Sequence, residues 1–327
     1  MSNEIDRRGF LQSAAVLAAG GLAGCAHGNP DTAAKSEQGG AVKTRKYDIS
    51  LAGWSLHRTL GEGEGKIPMI EMPRLAREEW DIGAIELVNQ MMPSSDKAYL
   101  DQLAKAAADH NVKIVLIMID NQGGVGAEDA AERETAVANH QRWIDIAHDF
   151  GCHSIRMNWA GLPHDLMEKN PDQLGHYIQL STPGLQAICE HGEKKNIDVL
   201  IENHGGPSSY PAAMDQLMAS VNHPRFGTLP DFGNFPAELD KYASIDSLMK
   251  HAKKAVSYKC YDVDPATGLD VKIDQERMLK IVHDQHGYQG YIGIEYEGEG
   301  PEMAGISAAA RSLREFRKNG RLVGFVS

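Results

Sequence analysis

Cysteine is scarce in this 327-residue chain, with only Cys25, Cys152, Cys189 and Cys260 present. None stands in a C-x-x-C pair, and Cys25 belongs to the leader described below. The remaining three are an odd number that completes no disulfide framework. Cys152 and Cys189 read as small buried thiols. Positive charge is also short. Against 45 Asp and Glu stand 33 Lys and Arg, a net charge of −12. No basic stripe relieves it, so nucleic acid, whose phosphates reward clustered cations, is excluded as a partner. No G-x-G-x-x-G follows the first strand-like run, which argues against an open dinucleotide-binding sheet. Gly61-Glu62-Gly63-Glu64-Gly65 is glycine-rich but acidic and would repel phosphates; it reads as a mobile loop over a site. What remains is an ordinary globular composition, 42% hydrophobic, on a length that suits one large α/β barrel.

The N-terminus reads as an address. Asp6-Arg7-Arg8-Gly9-Phe10-Leu11-Gln12 resembles a twin-arginine export signal. The apolar run that follows, Ala14 to Ala23, is too short to span a membrane as a mature helix. It ends in Leu22-Ala23-Gly24-Cys25, which resembles a bacterial lipobox whose cysteine is acylated and becomes the new N-terminus. Residues 1–25 are therefore expected to be a signal with a lipobox. Residues 26–46, rich in Gly, Ala, Lys, Ser and Asp without apolar period, read as a flexible linker. Residues 47–327 are the expected catalytic domain. These motifs imply an exported, periplasmic protein tied to a bacterial membrane through a lipid on Cys25.

From residue 47 short apolar, β-branched runs alternate with longer amphipathic stretches. The runs begin near Ile49, Ala84, Lys113, Ser154, Asp198, Gly227, Ala255 and Tyr291, seven intervals averaging about 35 residues. Each interval holds a strand, a helix and two loops, and eight βα units predict a closed (β/α)8 TIM barrel with a parallel sheet. Two helices are plain in the pattern. Asp101 to Asn111 aligns Leu103, Ala106 and Ala107, and Glu134 to Phe150 aligns Val137, Trp143, Ile146, Ala147 and Phe150. Asn111 and Gly151 are expected helix stops. His140, His148, His251 and His283 fall in helical segments and are expected at the surface.

In such barrels the active site lies at the C-terminal ends of the strands, so polar residues that end apolar runs carry the information. Ile201 leads to Glu202-Asn203-His204-Gly205-Gly206, Pro230 to Asp231-Phe232-Gly233-Asn234, Tyr258 to Lys259-Cys260-Tyr261-Asp262, and Ile294 to Glu295-Tyr296-Glu297-Gly298. A carboxylate at the end of a buried strand is costly unless something positive receives it. One such acid is satisfied by an ion pair. Three that converge on one mouth, Glu202, Asp231 and Glu295, point to a shared divalent cation, and all-oxygen ligands favour Mn2+ or Mg2+ over Zn2+.

From about Tyr47 onward, these motifs make the chain resemble the xylose isomerase-like TIM barrel superfamily, especially its sugar phosphate isomerase/epimerase branch. The resemblance implies that Glu202, Asp231 and Glu295 bind metal, as the Glu after strand five, the Asp after strand six and the Glu after strand eight do in the superfamily. The superfamily's fourth ligand, a His on strand seven in a His-x-Lys-Asp segment, is replaced by Lys259. Another common His, three residues after the strand-six Asp, is replaced by Asn234. Either His204 or water completes the metal shell, or Lys259 has become a catalytic or substrate-binding group. A bolder reading makes Lys259 itself the positive centre.

The resemblance implies an isomerase or epimerase that abstracts a proton beside a carbonyl through a metal-stabilised enediolate. Glu202 and Glu295 would transfer protons, with His204 a further acid/base candidate and Asp231 purely a ligand. Substrate contacts are expected from Trp54, His57, Glu86, Arg156, Asn158 and Asn234, with Glu86 alternatively pairing with Arg156. Few basic groups near the mouth favour an unphosphorylated small-molecule carbohydrate. Two alternatives stand beside this one: a lyase or hydratase acting on oxidised (keto) glycosides, and a non-catalytic sugar-binding lipoprotein. Endonuclease IV, a further relative by fold, needs many His and a basic surface that this chain lacks.

Overall fold

A computed structural model describes residues 45–322. The twin-arginine and lipobox motifs, Cys25 and residues 26–44 of the linker lie outside the described residues. Eight strands alternate with helices: β1 Asp48–Ala52, β2 Ala84–Val88, β3 Lys113–Ile119, β4 Ser154–Met157, β5 Asp198–Glu202, β6 Phe226–Leu229, β7 Ala255–Cys260 and β8 Tyr291–Tyr296. Six begin on the residue expected from the sequence and the other two, β1 and β6, one residue earlier. All pair in parallel in the order β6-β5-β4-β3-β2-β1-β8-β7. Between β6 and β7 the ring is joined only by isolated parallel bridges, Thr228 with Ala252 and Asp231 with Ser257. The fold is a (β/α)8 TIM barrel.

Strand periodicity sorts the side chains into two layers. In β2, Ile85 and Leu87 face the helices while Ala84, Glu86 and Val88 face the barrel axis; in β7, Val256 and Tyr258 face out while Ser257 and Lys259 face in. The outer layer is one large apolar cluster under the helices Met72–Trp80, Lys97–Asp109, Ala130–Asp149, Leu174–Lys195, Pro211–Val221, Lys241–Leu248, Gln275–Leu279 and Glu302–Asn319. Leu103, Trp143, Ile146 and Ala147 are buried in it, as their helical spacing requires. Asn111 (φ 52°) and Gly151 (φ 75°) reverse the chain after their helices in the left-handed conformation that Asn and Gly tolerate best. The inner layer is a smaller cluster, Ala52, Ala84, Leu116, Met118, Leu200, Leu229 and Ala255 among them. Ser50, Glu86, Arg156, Ser257, Lys259 and Glu295 are buried on the same inner face.

Three details bear on the expectations above. His140 is not at the surface: it is 3% exposed, and its Nδ1 lies 2.7 Å from the Ala136 carbonyl oxygen one turn earlier. The neighbouring apolar face of its helix carries it into the core, and burial lowers its pKa. Cys152, Cys189 and Cys260 are buried free thiols. Arg45, at the end of the linker segment, already packs on the barrel. It donates to Asp284 at 2.9 Å, and its guanidinium lies 4.8 Å from the Phe316 ring centroid.

Candidate active site

The ends of β5, β7 and β8 and the turn after β6 bring four expected residues together. Glu202 is the last residue of β5, Asp231 follows β6, and Lys259 and Glu295 are direct register partners on β7 and β8. One carboxylate oxygen from each of Glu202, Asp231 and Glu295 lies within 4.8 Å of the others, and all three residues are buried. Taken by themselves, these three could bind a metal ion. They do not stand by themselves.

Lys259 Nζ is 3.0 Å from Glu295 Oε1, 3.1 Å from Glu297 Oε1 and 3.7 Å from Asp231 Oδ2, and the side chain is 1% exposed. Burial alone would lower the ammonium's pKa, but Asp231, Glu295 and Glu297 outweigh it and hold the value well above the ordinary lysine range. The group is charged. Arg156 supplies a second cation. Its Nη1 donates to Asp120 at 2.6 Å, and its Nε stands 2.5 Å from Glu202 Oε2. That last contact is close but misaligned: both atoms lack a hydrogen bond, so the attraction is charge alone. Burial therefore dominates at Glu202 and pushes its carboxyl well above the usual range, with Arg156 opposing. At Glu295 burial is outweighed by Lys259 and by the Ser257 hydroxyl, and the pKa falls. Asp231 rises to about 6, mainly through burial, against the pull of Lys259.

Ser257 Oγ is 2.6 Å from both Asp231 Oδ2 and Glu295 Oε2. A hydroxyl has one hydrogen to give. Both contacts can be hydrogen bonds at once only when one of the two carboxyls carries a proton. Asp231 is fixed further by the backbone N–H groups of Gly233 and Asn234, which donate to its Oδ1 at 2.8 and 2.9 Å.

Above these groups opens a cavity of about 210 Å3 lined by Trp54, Val88, Gln90, Met118, Asp120, Asn121, Arg156, Asn158, His204 and Glu295. Of the expected residues, Trp54, Arg156, Asn158, His204 and Glu295 line it. Glu202, Asp231 and Lys259 are buried and do not. His57 stacks on Trp54, with ring centroids 5.1 Å apart, and is not part of the cavity lining. Glu86 sits lower in the barrel, where its carboxylate accepts from Ser50 Oγ at 2.5 Å and burial raises its pKa to about 7. Gly293 on β8 makes room for that carboxylate, since a Cβ there would collide with it. Asn234 donates to Glu202 Oε1 at 3.4 Å and lines a neighbouring cavity of about 450 Å3, which also touches His204. A further cavity, about 690 Å3, is lined by residues 269–277, Lys280 and Leu322 and contains none of the carboxylate cluster.

Three residues at the site were not expected. Asp120 accepts from both Arg156 and Asn158, Glu297 accepts from Trp54 Nε1 at 2.8 Å, and Ser257 bridges two acids. Asp120 had a visible signal: it follows the apolar run Lys113–Ile119 directly, like the acids that were singled out.

The fit of a metal turns on the fourth position. A protonated amine has no lone pair to donate, so Lys259 cannot complete the shell that a His would complete. A divalent ion about 4 Å from the ammonium would be repelled by roughly 8 kcal/mol at an effective dielectric of 20. The three carboxylates suit a hard cation, but the residue set as a whole does not fit one with Lys259 in place.

An eight-stranded parallel barrel with ionisable residues at its strand ends defines an enzyme-type scaffold. Residues 74–316 match the family profile described as xylose isomerase-like TIM barrel, and the chain belongs to that family. No curated protein matches the sequence. Among solved structures, the chain resembles 3-keto-D-glucoside 4-epimerase from E. coli at 13% identity and TM-score 0.63, covering 82% of this chain and 98% of that one. A probable 3-DHS dehydratase from Bacillus anthracis matches at 16% identity and TM-score 0.61, covering 82% and 98%. A xylose isomerase-like TIM barrel protein from Mycobacterium smegmatis, solved in complex with magnesium, matches at 18% and TM-score 0.58, covering 85% and 97%. At these identities the likeness is one of fold.

Proposed function

We propose that the protein is a carbohydrate isomerase or epimerase that moves a proton beside a carbonyl of a sugar or keto-sugar. The observation that carries this is the pair Glu295 and Glu202. They are two buried carboxyls within reach of one another, one held ionised by Lys259 and one driven toward its neutral form by burial. Such a split assigns base and acid at one pH. Glu295, which lines the cavity, takes the proton from the carbon. His204, on the cavity wall, returns one, to the opposite face of that carbon or to its neighbour, and Glu202, outside the lining two residues earlier, is the buried acid of the pair. Arg156 and Asn158 offer N–H groups to the oxygen on which charge develops. Arg156 is already engaged by Asp120 and Glu202, which favours an unphosphorylated substrate. Were the carboxylates to take up an ion, their oxygens would favour Mg2+ or Mn2+ over Zn2+; the steps above use only the chain's own groups.

A second reading, a lyase or hydratase on oxidised glycosides, begins with the same proton removal and then expels a group from the next carbon. The 450 Å3 cavity beside His204 supports it by offering space for a glycosidic partner, and one fold relative is a probable dehydratase. The test is incubation with keto-sugars and keto-glycosides in D2O. Deuterium at the carbon beside the carbonyl is expected. A sugar that binds without any exchange would reduce the protein to a binding lipoprotein. The leader motifs support export and lipid anchoring to the periplasmic side of a bacterial membrane. Labelled palmitate should enter the wild type and not Cys25→Ser.

A further inference from the structure

We propose that the Lys259 ammonium is the resident cation of this barrel and that the protein binds no divalent metal among Glu202, Asp231 and Glu295. The proposal deepens the proton-transfer reading and rests on it for the role of Glu295, but its own content is a statement about metal.

The ammonium is caged rather than merely near an acid. Glu295, Glu297 and Asp231 surround it from β8, the β8 loop and the β6 loop. Each wall has an independent anchor: Ser257 on Glu295, Trp54 Nε1 on Glu297, and the Gly233 and Asn234 amides on Asp231. The stem is fixed too. A Cβ on Gly233 would stand 2.6 Å from Lys259 Cγ, so the β6 loop closes directly over the lysine because residue 233 has no side chain. The adjacent Gln275 Nε2 donates to the Lys259 carbonyl at 2.8 Å. Glu202, the remaining carboxylate, faces Arg156. Every member of the triad thus already faces a cation belonging to the chain. Lys259 is a positioning residue here: it keeps Glu295 ionised and toward the cavity without lining the cavity itself.

The test is the metal content of the full-length protein, grown in medium supplemented with Mn2+ and Mg2+, dialysed, and measured by inductively coupled plasma mass spectrometry. Titration calorimetry with MnCl2 and MgCl2 accompanies it. Less than about 0.1 ion per chain and no saturable heat are expected, whereas about one ion per chain, lost in Glu202→Gln, would overturn the proposal. Lys259→His restores a lone pair and should gain about one Mn2+ per chain. A folded Lys259→His protein that takes up none would also count against the ammonium as the excluding group. If that variant does not fold, the wild-type metal content still decides. The deuterium assay separates the two readings. Exchange that requires added Mn2+ refutes this inference and keeps the proposed reaction. A metal-free protein without exchange does the reverse.

Discussion

The two faces of one sheet obey different rules. Outside, Leu51, Ile85, Ile155, Val199, Val256 and Ile294 meet helices in a continuous apolar layer where size and shape decide the outcome. Inside, a thin cluster of small and medium apolar residues shares the space with Glu86, Arg156, Lys259, Glu202 and Glu295, where charge decides it. The contrast teaches that substitutions on the two faces should fail differently. Outer ones should lose stability and keep chemistry. Inner ones should lose chemistry, or shift stability with pH.

The largest effect should come from Glu295→Gln, which removes the proposed base from the cavity wall while keeping its shape. Deuterium exchange should fall about 10^3-fold, with an unchanged circular dichroism spectrum. Exchange at the wild-type rate would assign the base elsewhere. Next is Lys259→Met, which leaves buried acids without their partner and should cost about 3–5 kcal/mol in urea unfolding. Leu185→Ala, in the outer layer and fully buried, should cost about 3 kcal/mol yet leave exchange per folded molecule intact. A comparable loss of exchange there would erase the distinction between the faces.

The smallest and most diagnostic effect is the pH dependence of Glu86. Burial raises its folded pKa to about 7, with Ser50 opposing. Below the unfolded value both states are protonated and the acid costs nothing. As pH rises from about 4.5 to 7 the unfolded chain ionises first, so the native state loses stability, up to about 3 kcal/mol. Asp231, raised to about 6, adds to the same trend. Glu86→Gln should flatten the fall in unfolding free energy measured between pH 4.5 and 8. An unaltered slope would place the proton uptake on another group.

Most of the barrel was legible because its strands are buried runs of β-branched residues at even spacing, and turn residues such as Asn111 and Gly151 mark the ends. The acids Glu202, Asp231 and Glu295 were legible by their place directly after those runs. Asp120 obeys the same rule and was passed over. Glu86 illustrates what sequence does not carry. Whether an inward polar residue reaches the rim or stays below it depends on strand register, and β2 shifts register against β3 between Ile85 and Glu86. Glu297 and Ser257 owe their roles to contacts 243 and 26 residues away in the chain, with Trp54 and Asp231, which no local pattern announces. The same holds for Lys259. Its identity was visible as a departure from the family's His, but the cage around it is assembled from three separate segments.

The ring of strands has a seam. Between β6 and β7 the backbone link consists of isolated bridges, supported by Ser257 N–H donating to the Pro230 carbonyl at 2.9 Å and Phe232 N–H to the Ser257 carbonyl at 3.2 Å. Pro230 has no N–H of its own to add. Asp231 and Lys259 flank this joint, so their ion pair and the Ser257 hydroxyl act as a clasp across the barrel's thinnest closure. Amide protons along this joint should therefore exchange with solvent sooner than those of β2 and β3, and sooner still when the clasp is cut.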